Sequence, residues 1–277
     1  MKIAVTGGVG SVGNAIVHMA SDQGHDVVCI DRVLPKDETR RAGVTYIKAE
    51  IADYDVMVNS IRGCDALIHM AAIPAPGRHP DHEVHNNNVV TSYNALRASV
   101  EVGIERVCQA SSVNATGLAY SRWPRFDYFP LDELHPTYNE DPYSLSKWVC
   151  EEQGNSFARR YENMVIASMR FHWVVPQRAT AVQAKSYSET EAAAKNLWAY
   201  TLHSAAASAC LLSLTADFKG HEVFYIAAPD TITEVPSLEL KQKFFPDVEV
   251  RGDLSGHKSF FDSSKAERLL GWKHNQS

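Results

Sequence analysis

The sequence has few cysteines, no long apolar run and no excess of basic residues. Its five cysteines among 277 residues are odd in number, widely spaced and without a CxxC pair, which argues against a disulfide framework or a structural metal site. No stretch approaches the ~18 apolar residues of a membrane span, and the first apolar run is too short for a signal sequence. We therefore expect buried thiols in a reducing compartment, a cytoplasmic location and no membrane partner.

The charge balance also excludes one class of partner. The chain carries 27 Lys plus Arg and 33 Asp plus Glu, so its formal charge is −6, and the charges are spread along its length. No basic stripe is available to neutralise phosphates, and nucleic acid is not an expected partner. With 45% apolar and 22% charged residues the composition is that of a globular protein of one large domain, or of a medium domain with a smaller companion.

Short Val/Ile-rich runs alternate with helical patterns, which indicates βαβ units and a parallel sheet buried on both faces. The predicted strands cover residues 2–5, 26–30, 45–48, 66–70, 106–109, 165–169 and 223–227. The predicted helices cover residues 11–23, 53–61, 88–102, 142–162, 202–215 and 262–270, the last with Asp262 as its N-cap. Long irregular stretches at 73–85, 118–141 and 177–189 are expected to be functional loops or crossovers packed by their own side chains.

The first predicted strand runs into the sequence TGGVGSVG, which fits TGxxGxxG. Gly7, Gly10 and Gly13 in such a loop allow a tight turn, a close approach to a pyrophosphate and close helix packing. Any α/β protein can have a glycine-rich turn, but here a strand precedes it, a helix follows, and Asp31 ends the second strand about 20 residues on. An acidic residue there accepts hydrogen bonds from ribose hydroxyls, so Asp31 favours NAD, while neighbouring Arg32 keeps NADP as the less favoured alternative.

Tyr143 and Lys147 open a predicted helix and lie four residues apart, on one face. An ammonium and a nicotinamide cation near a phenol stabilise its ionised form, which would suit Tyr143 to acid/base work. A tyrosine and a lysine at this spacing are also common by chance, as an exposed pair on a helix surface. Ser111 and Ser112 end the fifth predicted strand, at the sheet edge where open α/β folds bind ligands, and either hydroxyl could hold a substrate oxygen.

Together these motifs, in this order, resemble the extended short-chain dehydrogenase/reductase superfamily, specifically its NAD-dependent epimerase/dehydratase family. Further matches are Glu50-Ile51, His69-Met70-Ala71-Ala72, Asn88 to Ser92 in place of NxxGT, and Met169-Arg170-Phe171. The resemblance implies a Rossmann-type doubly wound parallel sheet with a small C-terminal substrate-binding lobe. The NAD(P)-binding domain would cover residues 1–176, with 202–228 returning to it, and the lobe residues 177–201 and 229–277.

The resemblance also implies roles for individual residues, with Ser111 as the fallback for the catalytic hydroxyl and Lys147 lowering the pKa of Tyr143. The implied catalytic residues are Ser112, Tyr143 and Lys147. The implied cofactor-binding residues are Gly7, Gly10, Ser11, Val12, Gly13, Asp31, Arg32, Glu50, Ile51, Met70, Ala71, Ala72, Asn88, Ala110, Ser111, Tyr143, Lys147, Phe171 and His172. The implied substrate-binding residues are Ser112, Val113, Asn114 and Trp173.

The chain departs from the family in ways that narrow its chemistry. Val113 and Asn114 stand where sugar-nucleotide dehydratases carry Asp-Glu, and neither side chain can do that proton transfer. Trp173 lies in a segment that lacks the usual Gly before Pro and should narrow the pocket. Ser204 replaces an Asp of the family.

The charged anchors that would hold a diphosphate are not obvious. Arg178, Lys185 and Lys195 are candidates, although solvated surface charges are the plainer interpretation. His79, His82 and His85 are taken as solvated loop residues, so no metal is expected.

The sequence therefore predicts an NAD-dependent oxidoreductase that takes a hydride from a carbinol carbon of a small polyhydroxylated substrate, such as a sugar or uronic acid. A nucleotide-sugar epimerase with tightly bound NAD would use the same residues, and a non-catalytic dinucleotide-binding regulator is the alternative from another class. A homodimer through helices near 88–102 and 144–161 is expected from the family.

Overall fold

The computed structural model describes residues 1–183 and 190–274. The strands are β1 (Lys2–Thr6), β2 (Asp26–Asp31), β3 (Val44–Lys48), β4 (Ala66–His69), β5 (Arg106–Ser112), β6 (Tyr128–Phe129), β7 (Val165–Phe171), β8 (Val174–Val175), β9 (Thr201–Leu202), β10 (Gly220–Ile226) and β11 (Glu249–Val250). The helices are α1 (Ser11–Asp22), α2 (Tyr54–Ile61), α3 (Asp81–Val102), α4 (Pro142–Arg160), α5 (Arg178–Gln183), α6 (Glu191–Lys195), α7 (His203–Ser213), α8 (Ser237–Phe244) and α9 (Ser264–Leu270).

In the described chain, seven strands form one parallel sheet in the order β3-β2-β1-β4-β5-β7-β10. The strand order reverses direction at β1, which is the topology of a doubly wound fold. Because parallel strands are covered by helices on both faces, their central residues are apolar, and Ile3, Val5, Leu67 and Ile68 are fully buried. The predicted fold class is confirmed.

Each face of the sheet carries its own apolar cluster. One cluster unites α1, α7 and the C-terminal residues Ala266, Leu270 and Trp272 with the strands. The other packs the apolar residues of α2 and α3 against the opposite face. The indole nitrogen of Trp272 donates to the Ala205 carbonyl over 2.9 Å, so the end of the described chain is fixed to α7.

A third apolar cluster lies beyond the carboxyl edge of the sheet. It combines residues of the 118–131 crossover with residues of α6, α8 and the segments around them, and Trp198 and Phe260 are among its fully buried members. This cluster draws on the two stretches predicted to form the substrate-binding lobe, whereas the residues of α9 pack on the sheet. The division of the chain into two domains therefore stays a proposal.

The predicted helix bounds agree with the structure to within two residues, except at the start of α3, and the predicted N-cap of α9 also differs. Helix α3 begins at Asp81 and not at 88, so the end of the irregular stretch predicted for 73–85 is helical. Pro80 caps the helix, and Asp81 and Glu83 in its first turn complement the helix dipole. In α9, Ser263 is the N-cap; the predicted cap, Asp262, accepts instead from the Ser264 N–H over 2.8 Å.

The five cysteines are all buried and unpaired, as expected. None of the helices in the described ranges combines the length and the apolar character that crossing a bilayer requires.

Candidate functional site

A cleft of about 1140 Å³ lies at the carboxyl edge of the sheet. It runs from the loop after β1, past the ends of β2, β4, β5 and β7, to α6. All the predicted site residues except Asn88 line this cleft. The prediction therefore gathered residues that are far apart in sequence at one place.

The glycine loop is packed too tightly for a side chain at Gly7 or Gly13. A Cβ at Gly13 would lie 2.1 Å from the Gly7 carbonyl oxygen, and Gly7 itself has φ +66° with the Ala71 backbone beside it. Among the described residues no side chain caps the N-terminus of α1, so the first-turn N–H groups remain available for an anion. The loop thus has the form of a phosphate cradle.

Asp31 at the end of β2 lies against this loop. Its carboxylate accepts from the Val9 N–H over 3.1 Å and from the Val33 N–H over 3.3 Å. These two contacts fix the carboxylate at the cleft wall, where Arg32 is an exposed neighbour. The position is that of an acceptor for ribose hydroxyls.

Tyr143, Ser112 and Lys147 meet in the middle of the cleft and are all buried. The Ser112 hydroxyl lies close enough to the Tyr143 phenol to lower its pKa, and the Lys147 Nζ donates to the Ala110 carbonyl over 2.8 Å. Asp141 accepts from the Tyr143 and Ser144 N–H groups and so starts α4 at the position that brings Tyr143 to the cleft. These groups are placed for acid/base chemistry on one hydroxyl.

Burial has the largest effect on the pKa values of Tyr143 and Lys147. It raises the pKa of Tyr143, and the hydrogen bond from Ser112 lowers it again only in part. Burial also lowers the pKa of Lys147, and Lys147 is not among the groups that shift Tyr143 most. The expectation that Lys147, together with a nicotinamide cation, lowers the pKa of Tyr143 stays a prediction.

The two serines at the end of β5 have different partners. Ser111 donates its hydroxyl to the buried Glu151 carboxylate over 2.5 Å, whereas the Ser112 Oγ accepts from the Asn114 N–H over 3.1 Å and contacts Tyr143. Because the Ser111 hydroxyl is committed to Glu151, Ser112 is the better candidate to hold a substrate oxygen.

Asn88 lies behind the cleft wall rather than in it. Its side-chain amide accepts from the Ile73 N–H over 2.8 Å and donates to the Ile73 carbonyl over 3.1 Å and the Ser146 hydroxyl over 3.0 Å. It therefore joins a cleft-lining loop to α4, and its role in cofactor binding stays a prediction.

The far end of the cleft is formed by β7 and α6. His172 donates through Nε2 to the Asn196 carbonyl over 2.8 Å, and burial lowers its pKa to about 4, so the imidazole is neutral. Trp173 lies beside it and is partly exposed. The His172 hydrogen bond thus ties the end of α6 to the segment after β7, at the cleft.

Several cleft residues were not named from the sequence. Tyr120 packs edge-on against Tyr143 with ring centroids 5.7 Å apart, Glu191 is the first residue of α6, and Asn196 is the C-cap of that helix. The available signal was the length of the irregular stretch 118–141, which was predicted to be either a functional loop or a crossover packed by its own side chains. At Tyr120 this stretch lines the cleft.

The candidate diphosphate anchors are engaged elsewhere. Arg178 pairs with Asp230 at 2.9 Å, and Lys195, which lines the cleft, donates to the carbonyls of Ser121 and Arg122 over 3.1 and 2.7 Å. The third candidate, Lys185, lies outside the described residues.

The three histidines of the 73–85 stretch do not all lie in a loop. His82 and His85 belong to α3, and His79 lies 3.7 Å from Glu83. Over the described ranges, no three His, Cys, Asp or Glu side chains are grouped as metal ligands would be.

Comparison with known proteins identifies the family. The model of the NAD dependent epimerase/dehydratase family matches residues 3–226, and the chain belongs to this family. The extended short-chain dehydrogenase/reductase resemblance is thereby confirmed.

Individual relatives are distant. A putative UDP-glucose 4-epimerase of Methanocaldococcus jannaschii is 28% identical over 64% of this chain and 57% of that protein. An L-arabinose 1-dehydrogenase (NAD(P)(+)) of Haloferax volcanii is 28% identical over 63% of this chain and 67% of that protein. The chain thus aligns with between about half and two thirds of the length of such relatives. The crystal structure of a UDP-glucose 4-epimerase with UDP-glucose from Thermotoga maritima superposes with a TM-score of 0.74 at 21% identity, over all of this chain and 94% of that one, which supports the fold.

Gly13→Ala tests the cradle. The added Cβ would overlap the Gly7 carbonyl, so the loop must open, and we expect NAD affinity measured by calorimetry to fall at least about 100-fold. The control is Asn14→Ala, an exposed position one residue further along the same helix, which should bind NAD as the wild type does. Equal NAD affinity for the two variants would contradict a cofactor role for the loop.

Proposed function

We propose that this protein is an NAD-dependent oxidoreductase that oxidises a carbinol carbon of a small sugar or sugar acid. The observation that carries the proposal is that Ser112, Tyr143 and Lys147 come together, buried, in the same cleft as the glycine loop. A regulator that only binds dinucleotide has no use for a tyrosine, a serine and a lysine gathered at the centre of the cleft. The enzyme is therefore the favoured function.

The cleft residues fit a dinucleotide. The glycine loop and the uncapped start of α1 would hold the pyrophosphate, and Asp31 would accept from the adenosine ribose. A carboxylate there repels a 2′-phosphate, which favours NAD over NADP, and Arg32 at the exposed rim is the group that would serve NADP. When bound, NAD supplies the carbon that accepts the hydride.

The chain's own residues manage the proton. Ser112 and Tyr143 would together hold the substrate hydroxyl, and Tyr143 would take its proton as the hydride leaves the carbinol carbon. The Ser112 hydrogen bond favours the ionised tyrosine and so opposes the effect of burial. Lys147, held by the Ala110 carbonyl, would bind the nicotinamide ribose and add positive charge.

Val113 and Asn114 support oxidation over dehydration. Asn114 binds the Ala119 N–H through its amide oxygen over 2.9 Å and faces Ser112 through its amide nitrogen. Neither side chain exchanges protons, so these two positions supply no acid or base for the elimination of water.

The charges at the far end of the cleft support a compact acidic substrate. Arg178 is already paired with Asp230, which leaves it poorly placed for a diphosphate. The Lys195 ammonium is held by neutral carbonyls, and among the described residues no carboxylate lies within ion-pair distance of it. Its charge is therefore available for a substrate carboxylate, as on a uronic acid.

A nucleotide-sugar epimerase remains the second candidate because the Methanocaldococcus jannaschii relative carries that name and the same three side chains would serve. The two activities differ in net redox change, since an epimerase returns the hydride to the sugar and accumulates no NADH.

The deciding experiment incubates the protein with NAD and a panel of neutral sugars, uronic acids, simple alcohols and nucleotide sugars. We expect NADH to accumulate with a small sugar or sugar acid, and Tyr143→Phe to lower kcat at least about 100-fold, because phenylalanine cannot carry the proton. Conversion of a nucleotide sugar without NADH would favour the epimerase. Full activity of Tyr143→Phe would contradict the catalytic assignment.

Lys195→Met tests the substrate class. We expect the KM for a uronic acid that the enzyme oxidises to rise about tenfold or more, because the acid loses an ion pair. The KM for a neutral sugar should be unchanged. Lys241→Met is a matched control, since the Lys241 ammonium also binds a backbone carbonyl but lies outside the cleft. An equal effect of Lys195→Met on acid and neutral sugars would contradict the role.

The homodimer proposal rests on an exposed apolar face of α3 and α4. Val90, Tyr93 and Leu145 are 44%, 46% and 38% exposed on these two adjoining helices. We expect light scattering to report a dimer and Val90→Glu to give a monomer, because the added charge would be buried at the contact. Leu134→Glu, at an 87% exposed position away from these helices, should leave the dimer intact. A monomeric wild type would refute this surface.

A further inference from the structure

One face of α4 is bonded to the end of β5 at three successive strand residues. Tyr143, Lys147 and Glu151 are spaced by four residues and so lie on one helix face. Tyr143 contacts the Ser112 hydroxyl, Lys147 binds the carbonyl before Ser111, and Glu151 accepts from the Ser111 hydroxyl over 2.5 Å. The third contact repeats the pattern of the two proposed to serve catalysis, one turn deeper in the protein.

Glu151 is itself held from the opposite side. Arg170 of β7 donates to its two carboxylate oxygens over 2.9 and 2.8 Å, and both side chains are almost completely buried. Arg170 also donates to the Tyr225 hydroxyl over 3.2 Å, and that hydroxyl shares a 2.6 Å hydrogen bond with Thr116, just after β5. A two-pronged pair of this kind fixes geometry as well as charge.

From this arrangement we infer that Glu151 is a positioning residue for the reaction. Anchored to β7 through Arg170, it sets the position of Ser111 and of the helix face that carries Lys147 and Tyr143. A buried carboxylate with three donors has one available position. Because Glu151 contacts both β5 and the helix that carries Tyr143, it also fixes the distance between Tyr143 and Ser112. The inference rests on the proposed function for its kinetic consequence, but the position of Tyr143 can be measured without a substrate.

Ser111→Ala is the main test because it removes only one oxygen and leaves the buried ion pair intact. Ser99→Ala is its control: Ser99 is also buried and its hydroxyl also makes one hydrogen bond, to the Ala95 carbonyl within α3. A second pair, Glu151→Gln with Glu133→Gln, tests the carboxylate. Glu133 accepts from the Tyr225 N–H over 2.8 Å and belongs to neither α4 nor β5. Folding of each variant is checked by circular dichroism and thermal unfolding.

The first measurement follows tyrosinate absorbance against pH. Subtracting the curve of the Tyr143→Phe variant isolates the signal of Tyr143 from that of the other tyrosines among the 11 in the chain. The groups that act on Tyr143, namely Ser112, Tyr120, Asp141, Cys150 and the nearby Lys147, are all retained in Ser111→Ala. Because the Ser112 hydrogen bond lowers the pKa of Tyr143, its loosening should make Tyr143 titrate at higher pH. Ser99→Ala should titrate as the wild type does.

The second measurement separates kcat from binding, with the substrate identified by the sugar panel. Ser111→Ala and Glu151→Gln should lower kcat about tenfold while calorimetric NAD affinity stays within about twofold, since misplacement affects the reacting geometry more than binding. A wild-type titration of Tyr143 in Ser111→Ala, or a loss of NAD affinity that matches the loss of kcat, would overturn the inference. If no panel compound is oxidised, the proposed function fails while the tyrosinate titration still decides the role of Glu151.

Discussion

The cleft depends on the parallel register of the central strands. Thr6 pairs with Ile30 and His69, and Ser112 pairs with Phe171, so the strand ends emerge side by side at one sheet edge. A slip of one residue would move a strand end by about 3.3 Å and turn its side chains to the opposite face. The glycine loop, Asp31 and the serine pair are therefore aligned by backbone hydrogen bonds before any side chain of the site interacts.

On this frame the protein buries charges that a simple core would avoid. Lys147, Glu151 and Arg170 are all less than a tenth exposed, and burial of each is unfavourable unless it is compensated. The Ala110 carbonyl accepts from Lys147, and the Glu151 and Arg170 pair is completed by hydroxyl groups. Such a network adds little to the stability of the fold, but it fixes the positions of its side chains, because each of them can make all its hydrogen bonds in only one arrangement.

Much of this could be read from the sequence, because the signals were local. The glycine spacing, Asp31 at a strand end and the four-residue spacing of Tyr143 and Lys147 each encode geometry within one βα unit. The role of Glu151 could not be read in this way, since its partners Ser111 and Arg170 come from other elements and meet it only in the fold. The start of α3 was predicted seven residues late, because the polar first turns of this helix carry no apolar period.

The position of α6 has the same origin in long-range packing. Leu197 and Trp198, directly after this helix, both have a left-handed backbone, at φ 52° and 51°, which costs about 1–2 kcal/mol for each residue with a bulky side chain. Both side chains are completely buried, and a buried large apolar side chain contributes about 1.5–3 kcal/mol, so the apolar cluster of this region can hold the strained turn. The turn leaves the Asn196 carbonyl on His172 and the Lys195 ammonium at the cleft. The groups that face a substrate at this end are thus positioned by the core beneath them rather than by the helix propensity of a five-residue segment.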